Sequence, residues 1–417
     1  MYINLSQESV MKNFFVSLLS LLAVGCLSVG FAGCGERSSD SQESGSSFFE
    51  TDENSLAYAL SEDGSYYSVC GIGNYEGTEV VVPDSFRNLP VKEIDEGAFQ
   101  ESAITEVTLP DTVTSIGKSA FDYCKELQTV TFGNSVTTVG ELAFSNCEAL
   151  QKVVFGNSVQ TIEAYAFQNC LKLEFFALPN TLKSIGKAAF FGVALRELVL
   201  PDSVEILSDR AFSSCQKLKK VTLSKGLQTV GRYAFMHCAE LLRVDIGDSV
   251  TTIGAAAFSQ CDKLQTVYLG TALTTVEELA FAESFFISTV HYRGSLSDWC
   301  AISFEDKHAN PISVAQEFYI QESLLTGELV IPDEVPSIGA FAFYQYIPLT
   351  SVVIGEGVTS IGTFAFQDTS ITSASFKNPT GWKVKDYDLS MDFSNPETSA
   401  NVLNGWNKLP YHYVREA

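Results

Sequence analysis

Cysteine and histidine are the side chains best suited to nucleophilic and metal chemistry, so their spacing decides which reactions are open to this chain. Six cysteines, Cys124, Cys147, Cys170, Cys215, Cys238 and Cys261, each stand three residues after the phenylalanine of an Ala-Phe pair. A structural metal site needs Cys or His in close pairs, whereas these recur singly. If the units that carry them stack, the thiols form a line about 5 Å apart. A disulfide between neighbours is then sterically conceivable. The plainer reading is a small buried apolar residue with a weak S–H donor toward the next unit's backbone. Units with Ser102, Val193, Ser284, Tyr346 or Thr369 at that position show that a thiol is not obligatory.

The four histidines, His237, His291, His308 and His412, lie in no HExxH, and no local signature of a Ser or Cys hydrolase accompanies them. Gly71, Gly73 and Gly77 place the third glycine one residue too late for a dinucleotide fingerprint, and no Walker-type lysine follows. Asp386, Asp388 and Asp392 offer carboxylates for calcium, but without the glycine and terminal glutamate of a calcium loop they read as a solvated acidic tail. The expectation is therefore no catalytic residue, no metal and no cofactor. The enzymatic alternative is a hydrolase built around Trp299, Cys300 and His308.

The elements that position these residues come from a chain of 417 residues, 46% hydrophobic and 18% charged, enough to bury a large core. Its 26 Lys and Arg against 50 Asp and Glu give a net charge of −24. Such an excess of anions repels phosphate backbones and excludes nucleic acid as a partner.

From Met11 the chain reads MKNFFVSLLSLLAVGCLSVGFAGC: one lysine, an apolar run, then small residues leading to Cys34. This is the layout of a secretory leader, and it is too short and wrongly flanked for a membrane span. Phe31-Ala32-Gly33-Cys34 resembles a bacterial lipobox, in which the cysteine is lipidated and becomes the first mature residue; Phe31 stands where Leu is usual. Ala23-Val24-Gly25-Cys26 competes but would shorten the apolar core. Plain secretion without lipid is the other option. Residues 1–10 precede a better start at Met11, and the Ser-rich stretch after Cys34 has the composition of a flexible tether.

The body is repetitive. Ala-Phe pairs return at Phe99, Phe121, Phe144, Phe167, Phe190, Phe212, Phe235, Phe258 and Phe281 at intervals of 22 or 23 residues, then at Phe343 and Phe366 after a gap of 62. One unit runs from Leu127 to Ala149, LQTVTFGNSVTTVGELAFSNCEA. Leu127, Val130 and Phe132 are apolar with Thr129 and Thr131 pointing the other way, the alternation of a half-buried strand. Gly-Asn or Pro-Asp then signals a turn, and SVxxIGxxAFxxC returns on the opposite side. One unit cannot enclose a core, but stacked units can. Eleven of them at about 4.8 Å each give a solenoid roughly 50 Å long.

These units resemble the 23-residue leucine-rich repeats of the bacterial BspA-like surface proteins, whose pattern is LxxVxLPxSVxxIGxxAFxxC, from about Leu56 to Phe376. The resemblance implies an α/β-type leucine-rich repeat solenoid with one parallel strand per 22–23-residue rung. It also implies surface display and non-catalytic binding of macromolecules, with adhesion as the usual assignment.

The expected organisation is leader 1–33, lipidated Cys34 and linker 34–55, hairpin cap 56–82, repeats 83–290, an inserted segment 291–327, repeats 328–376 and a closing tail 377–417. The insertion carries a GxxxDWCxIxF core also found in BspA-like proteins and reads as a lateral bulge. In the tail, Asn395-Pro396-Glu397 is a helix start and Tyr411-His412-Tyr413-Val414 a last strand.

In such a solenoid the outward side of the strands forms a long sheet surface. Its columns bring out Val154, Phe175, Val199, Lys220, Arg243, Asp245, Tyr268 and His291 as the candidate binding row: an apolar patch beside cations and aromatic rings. The alternative is that β-branched residues merely suit a sheet surface. The function expected is a monomeric, lipid-anchored surface protein binding a protein or glycan. A structural envelope component without a specific ligand is the alternative.

Overall fold

The computed structural model describes residues 55–385, 390–404 and 412–415. The leader, Cys34 and most of the linker lie outside the described residues, as do Asp386, Asp388 and Tyr411. No helix among the described residues is long and apolar enough to cross a membrane.

Rung Leu127–Ala149 shows how the repeat folds. Thr129–Thr131 is a strand with Val130 fully buried, and Thr138–Val139 is a second, two-residue strand on the return path with Val139 fully buried. A regular rung thus contributes two short strands rather than one. Thr129–Thr131 pairs in parallel with Glu106–Thr108 and Lys152–Val154, and Thr138–Val139 with Ser115–Ile116 and Thr161–Ile162. The glycine after the return strand lets adjacent rungs touch: a Cβ at Gly140 would lie 2.7 Å from the Ile116 carbonyl oxygen.

A third ladder joins the rungs along the Ala-Phe edge. Ser119, Phe121 and Tyr123 donate their N–H groups to the carbonyls of Glu141, Ala143 and Ser145 one rung on, at 2.8, 2.7 and 2.9 Å. The same trio recurs at Leu142, Phe144 and Asn146. To aim alternate N–H groups along the axis, the residues flanking the phenylalanine adopt left-handed backbone: Leu142 and Asn146 have φ of 59° and 56°, Tyr165 and Asn169 61° and 58°. That conformation costs a non-glycine residue about 1–2 kcal/mol, and the inter-rung hydrogen bond offsets it.

Inside, the phenylalanines form one stack from Phe99 to Phe281, with centroid spacings of 4.8 to 5.8 Å and planes within 12°. The rung repeat of about 4.8 Å dictates that spacing. Phe343 and Phe366 continue it at 5.2 Å. The protein is therefore the parallel-strand solenoid expected from the repeat. Among the described residues helix is scarce and confined to α1 (Leu296–Ala301), α2 (Pro396–Leu403) and one turn of 3-10 helix.

The return strands form one continuous sheet from the N-terminal hairpin to Ser303–Phe304. The longer strands do not. They fall into sheets of four (Glu79 to Val154), seven (Glu197 to Leu324) and three (Gly327 to Phe376) strands. The first break is at Leu173–Leu178, where a single bridge from Lys152 to Phe175 remains. Val is usual at the inward strand position, but here it is Phe176, whose ring stacks on Phe190 at 5.0 Å and stays only half-buried. This bulk spreads the strand from its neighbours.

The segment 291–327, expected as a lateral bulge, is an enlarged rung within the stack. Ser303–Phe304 extends the return sheet beside Thr275–Val276, and Glu317–Ile320 extends the longer sheet beside Thr289–Tyr292. Trp299 is fully buried in this rung, packing 4.5 Å from Phe318 and 5.3 Å from Tyr292. Its indole N–H and the Asn310 side-chain amide both donate to the Ala342 carbonyl at 3.0 Å. Side chains here do what the backbone ladder does elsewhere, which is why a polar Asn310 can be fully buried.

At the ends, the hairpin Ala57–Leu60 and Tyr67–Gly71 covers the first return strand, with Tyr58 stacked on Phe86 at 4.0 Å. At the far end Tyr413–Arg415 pairs antiparallel with Ser360–Ile361. Asn395 caps α2 by accepting from the Thr398 N–H, with Pro396 at its first position.

Candidate functional site

The seven-stranded sheet is bounded by the break at Phe176 on one side and by the hairpin Glu317–Ile320 and Ser323–Leu324 on the other. Its outward column, held in parallel register, is Val199, Thr222, Asp245, Tyr268, His291 and Tyr319. Register alone stacks the rings. His291 lies 4.5 Å from Tyr268 with planes 3° apart, and 4.7 Å from Tyr319 with planes 12° apart. Arg243, one column across, places its guanidinium 4.1 Å from the Tyr268 centroid on the ring's remaining side, a cation–π contact.

Behind this row Arg293 reaches two rungs back to Asp245, with one terminal nitrogen 2.9 and 2.8 Å from the two carboxylate oxygens. Burial alone would raise the Asp245 pKa, but the Arg293 hydrogen bonds and charge, with the Gly247 N–H, outweigh it and hold the carboxyl below its usual range. His291 is shifted down, first by burial between the tyrosines and also by Arg243 and Arg293, against the opposing pull of Glu322 and Glu317. Its Nδ1 is buried without a hydrogen-bond partner.

The row has chemical consequences for recognition. Each inner ring face is covered by its neighbour, so the surface offers ring edges, hydroxyls and guanidinium N–H groups at rung spacing rather than a flat face for a sugar to stack on. Among the described residues the Arg243 guanidinium makes no salt bridge, although its charge acts on Asp245; its fork of donors can reach a ligand.

The residues picked out by the sequence divide at the break in the sheet. Arg243, Asp245, Tyr268 and His291 form one continuous cluster. Lys220 stands beside it with its Nζ 2.8 Å from Glu197. Val199 edges the break, 58% exposed, and Phe175 stands across it, 64% exposed. Val154 belongs to the separate four-stranded sheet. Two members of the cluster escaped the sequence reading, Tyr319 and Arg293. Alternation in Glu317-Phe318-Tyr319-Ile320 was a usable signal for Tyr319, since Phe318 is buried and Tyr319 faces out. Nothing local to Arg293 announces a reach of 48 residues.

Both Trp299 and Cys300 are fully buried, and burial pushes the Cys300 thiol up to about 12. The described residues hold no cluster of three His, Cys, Asp or Glu that could bind a metal.

The model of the BspA type leucine rich repeat region matches in six copies over residues 92–209, 183–310 and 315–388, which is well over half of the sequence. The chain belongs to the BspA-type leucine-rich repeat family. A leucine-rich repeat protein from Bacteroides ovatus shares the fold, with a TM-score of 0.54 and 24% identity over 79% of this chain and 89% of its own. The T. pallidum leucine rich repeat protein is 31% identical over 46% of this chain and 90% of its own, with a TM-score of 0.43. A leucine rich cell surface protein from Faecalibacterium prausnitzii is 22% identical over 80% of this chain and 96% of its own, with a TM-score of 0.43. No curated protein matches.

The cysteine of the BspA-type repeat now has a defined task. Each thiol donates to the carbonyl of the phenylalanine one rung back, as Cys147 to Phe121 and Cys170 to Phe144, both at 3.1 Å. The acceptor is in the preceding rung, not the next one. Ser284 takes the same place, its hydroxyl donating to Phe258 at 2.8 Å. All eight described cysteines are free thiols, and burial raises the pKa of Cys147, Cys170, Cys238 and Cys261 well away from the thiolate.

Proposed function

We propose that this BspA-type protein is a non-catalytic, extracytoplasmic binder, tethered through lipidated Cys34 and acting as a monomer, whose strand face engages a protein or glycan at the cell surface. The observation that carries the reading is the row Arg243–Tyr268–His291–Tyr319, a rigid line of aromatic edges and an unpaired cation set by strand register. Aromatic residues and arginine are the side chains that most often anchor interfaces, and a preorganised sheet spends little entropy on ordering them.

The test is capture of host matrix proteins, glycans and envelope fractions by the soluble body from Gly35 onward, compared with a Phe175→Ser/Tyr268→Ala double variant. The variant should keep its melting temperature and lose the captured partner. Equal capture by both proteins would remove the strand face as the site. Fatty-acid labelling of the native protein and of Cys34→Ala tests the anchor; label retained by Cys34→Ala would reject it.

A further inference from the structure

We propose that the break in the longer sheet is a receptor for an extended acidic peptide segment of a protein partner, with an apolar side chain seated in the break and a carboxylate on Lys219 and Arg243. This rests on the strand-face reading and narrows it to a protein and to one end of that face.

Three observations meet there. First, the break is a cleft of about 350 Å³ between the Phe176–Leu178 and Leu198–Pro201 segments, walled by Ala177, Leu178, Leu198 and Val199. Val199 in its wall is exposed, as is Phe175 just before Phe176, and Asn180 and the Lys220-paired Glu197 also line it.

Second, its walls carry main-chain groups without their ladder partners. Elsewhere the N–H after each strand donates to the next rung, as Phe132 to Val154, Leu200 to Thr222 and Ile246 to Tyr268. The equivalent bonds from Phe155 to Ala177 and from Leu178 to Val199 are missing. Leu178 and Val199, on opposite walls of the cleft, thus lack the bond their counterparts make, and an extended backbone supplies complements to both groups.

Third, the neighbouring surface reverses the charge of the chain. Nearly two acids accompany each base overall, yet Lys219, Lys220 and Arg243 occupy adjoining strand positions beside exposed Leu242. Glu197 engages Lys220, and Glu240 is engaged by Lys263. Lys219 and Arg243 make no salt bridge among the described residues; Glu240 and Asp245 feel their charge only at longer range. Two cations outside any salt bridge within so acidic a chain fit a carboxylate-bearing ligand.

Register sets the spacing. Val199 and Arg243 are two rungs apart, about 10 Å, which an extended chain covers in about three residues. The ligand is thus an apolar residue followed three positions later by Asp or Glu.

The test is fluorescence anisotropy of the full chain with two labelled synthetic peptides, Gly-Ser-Leu-Gly-Ser-Glu-Glu-Ser-Gly and its Gln-Gln counterpart. The Glu peptide should bind about tenfold more tightly, with the difference shrinking at high salt. Lys219→Gln/Arg243→Gln should abolish the difference between peptides. Val199→Glu should abolish binding of both, while Val330→Ala, exposed on the separate three-stranded sheet, should leave both unchanged. Equal binding of the two peptides, or binding indifferent to Val199→Glu, overturns this inference. It would leave the strand-face reading intact, because that is judged by capture of the macromolecular partner with the Phe175/Tyr268 variant.

Discussion

Removing one ring from the phenylalanine stack tests whether stability here passes only between neighbours. Phe167 is fully buried, 5.1 Å from Phe144 and 5.2 Å from Phe190, with Phe155 edge-on at 5.8 Å. Phe167→Ala should cost about 3–5 kcal/mol from lost burial and the cavity left behind. Part of that cost belongs to the contact with Phe190, about 0.5–1.5 kcal/mol for an aromatic pair. In the double variant Phe167→Ala/Phe190→Ala that contact is lost once rather than counted twice. The combined cost should therefore fall short of the sum by about 0.5–1.5 kcal/mol. Phe235 lies three rungs from Phe167 and shares no partner with it, so Phe167→Ala/Phe235→Ala should be additive within about 0.5 kcal/mol. The assay is urea unfolding at equilibrium, followed by both circular dichroism and tryptophan fluorescence so that coincident transitions support two-state treatment. Equal coupling for the near and distant pairs, or none for the near pair, would refute the picture of a core whose rungs speak only to adjacent rungs.

Further outcomes follow from local contacts. Cys147→Ser should be nearly neutral, because Ser284 already fills that role, whereas Cys147→Val loses the bond to Phe121 and should cost about 1 kcal/mol; a chemical denaturation series separates the two, and equal costs would discard the donor role. Ala188 has a φ of 51°, so Ala188→Gly should range from neutral to about 1 kcal/mol stabilising, while Ala189→Gly should destabilise by about 0.5–1 kcal/mol; melting temperatures that move together would contradict the strain. His291 has a folded pKa below its ordinary value. The folded state therefore binds fewer protons than the unfolded one, and the contribution of His291 to stability is present above about pH 6.5 and lost as pH falls toward the folded value. The drop in melting temperature below about pH 6.5 should be smaller in His291→Gln, and an unchanged profile would remove His291 from the account.

The repeat length, the inward phenylalanine and the outward columns could be read from the sequence because period two within a strand and period 23 between rungs are properties of residue type. Three features could not. The third ladder uses left-handed backbone at Ser119, Leu142, Tyr165 and Arg210, residues with no side chain in common, so only the bonds between rungs explain it. The break at Phe176 depends on ring volume at one inward position, which an apolar pattern scores as ordinary. The enlarged rung hides its continuity because Trp299 and Asn310 replace backbone donors with side-chain donors across 43 and 32 residues. In the binding row, Tyr268 and His291 followed from register, while Tyr319 was displaced from the count by the enlarged rung.

The interrupted ladder at Leu173–Leu178 also makes the spine mechanically uneven. Tension along its length loads every junction in series, and within one junction the parallel lines of hydrogen bonds share the load. Other junctions between Phe99 and Phe281 offer three such lines, but this one retains the return strands and the Ala-Phe edge with little on the third side. Pulled along the run from Phe99 to Phe281, the protein would therefore give way first at this junction, and single-molecule stretching should register that event at lower force than the opening of the other junctions in the run.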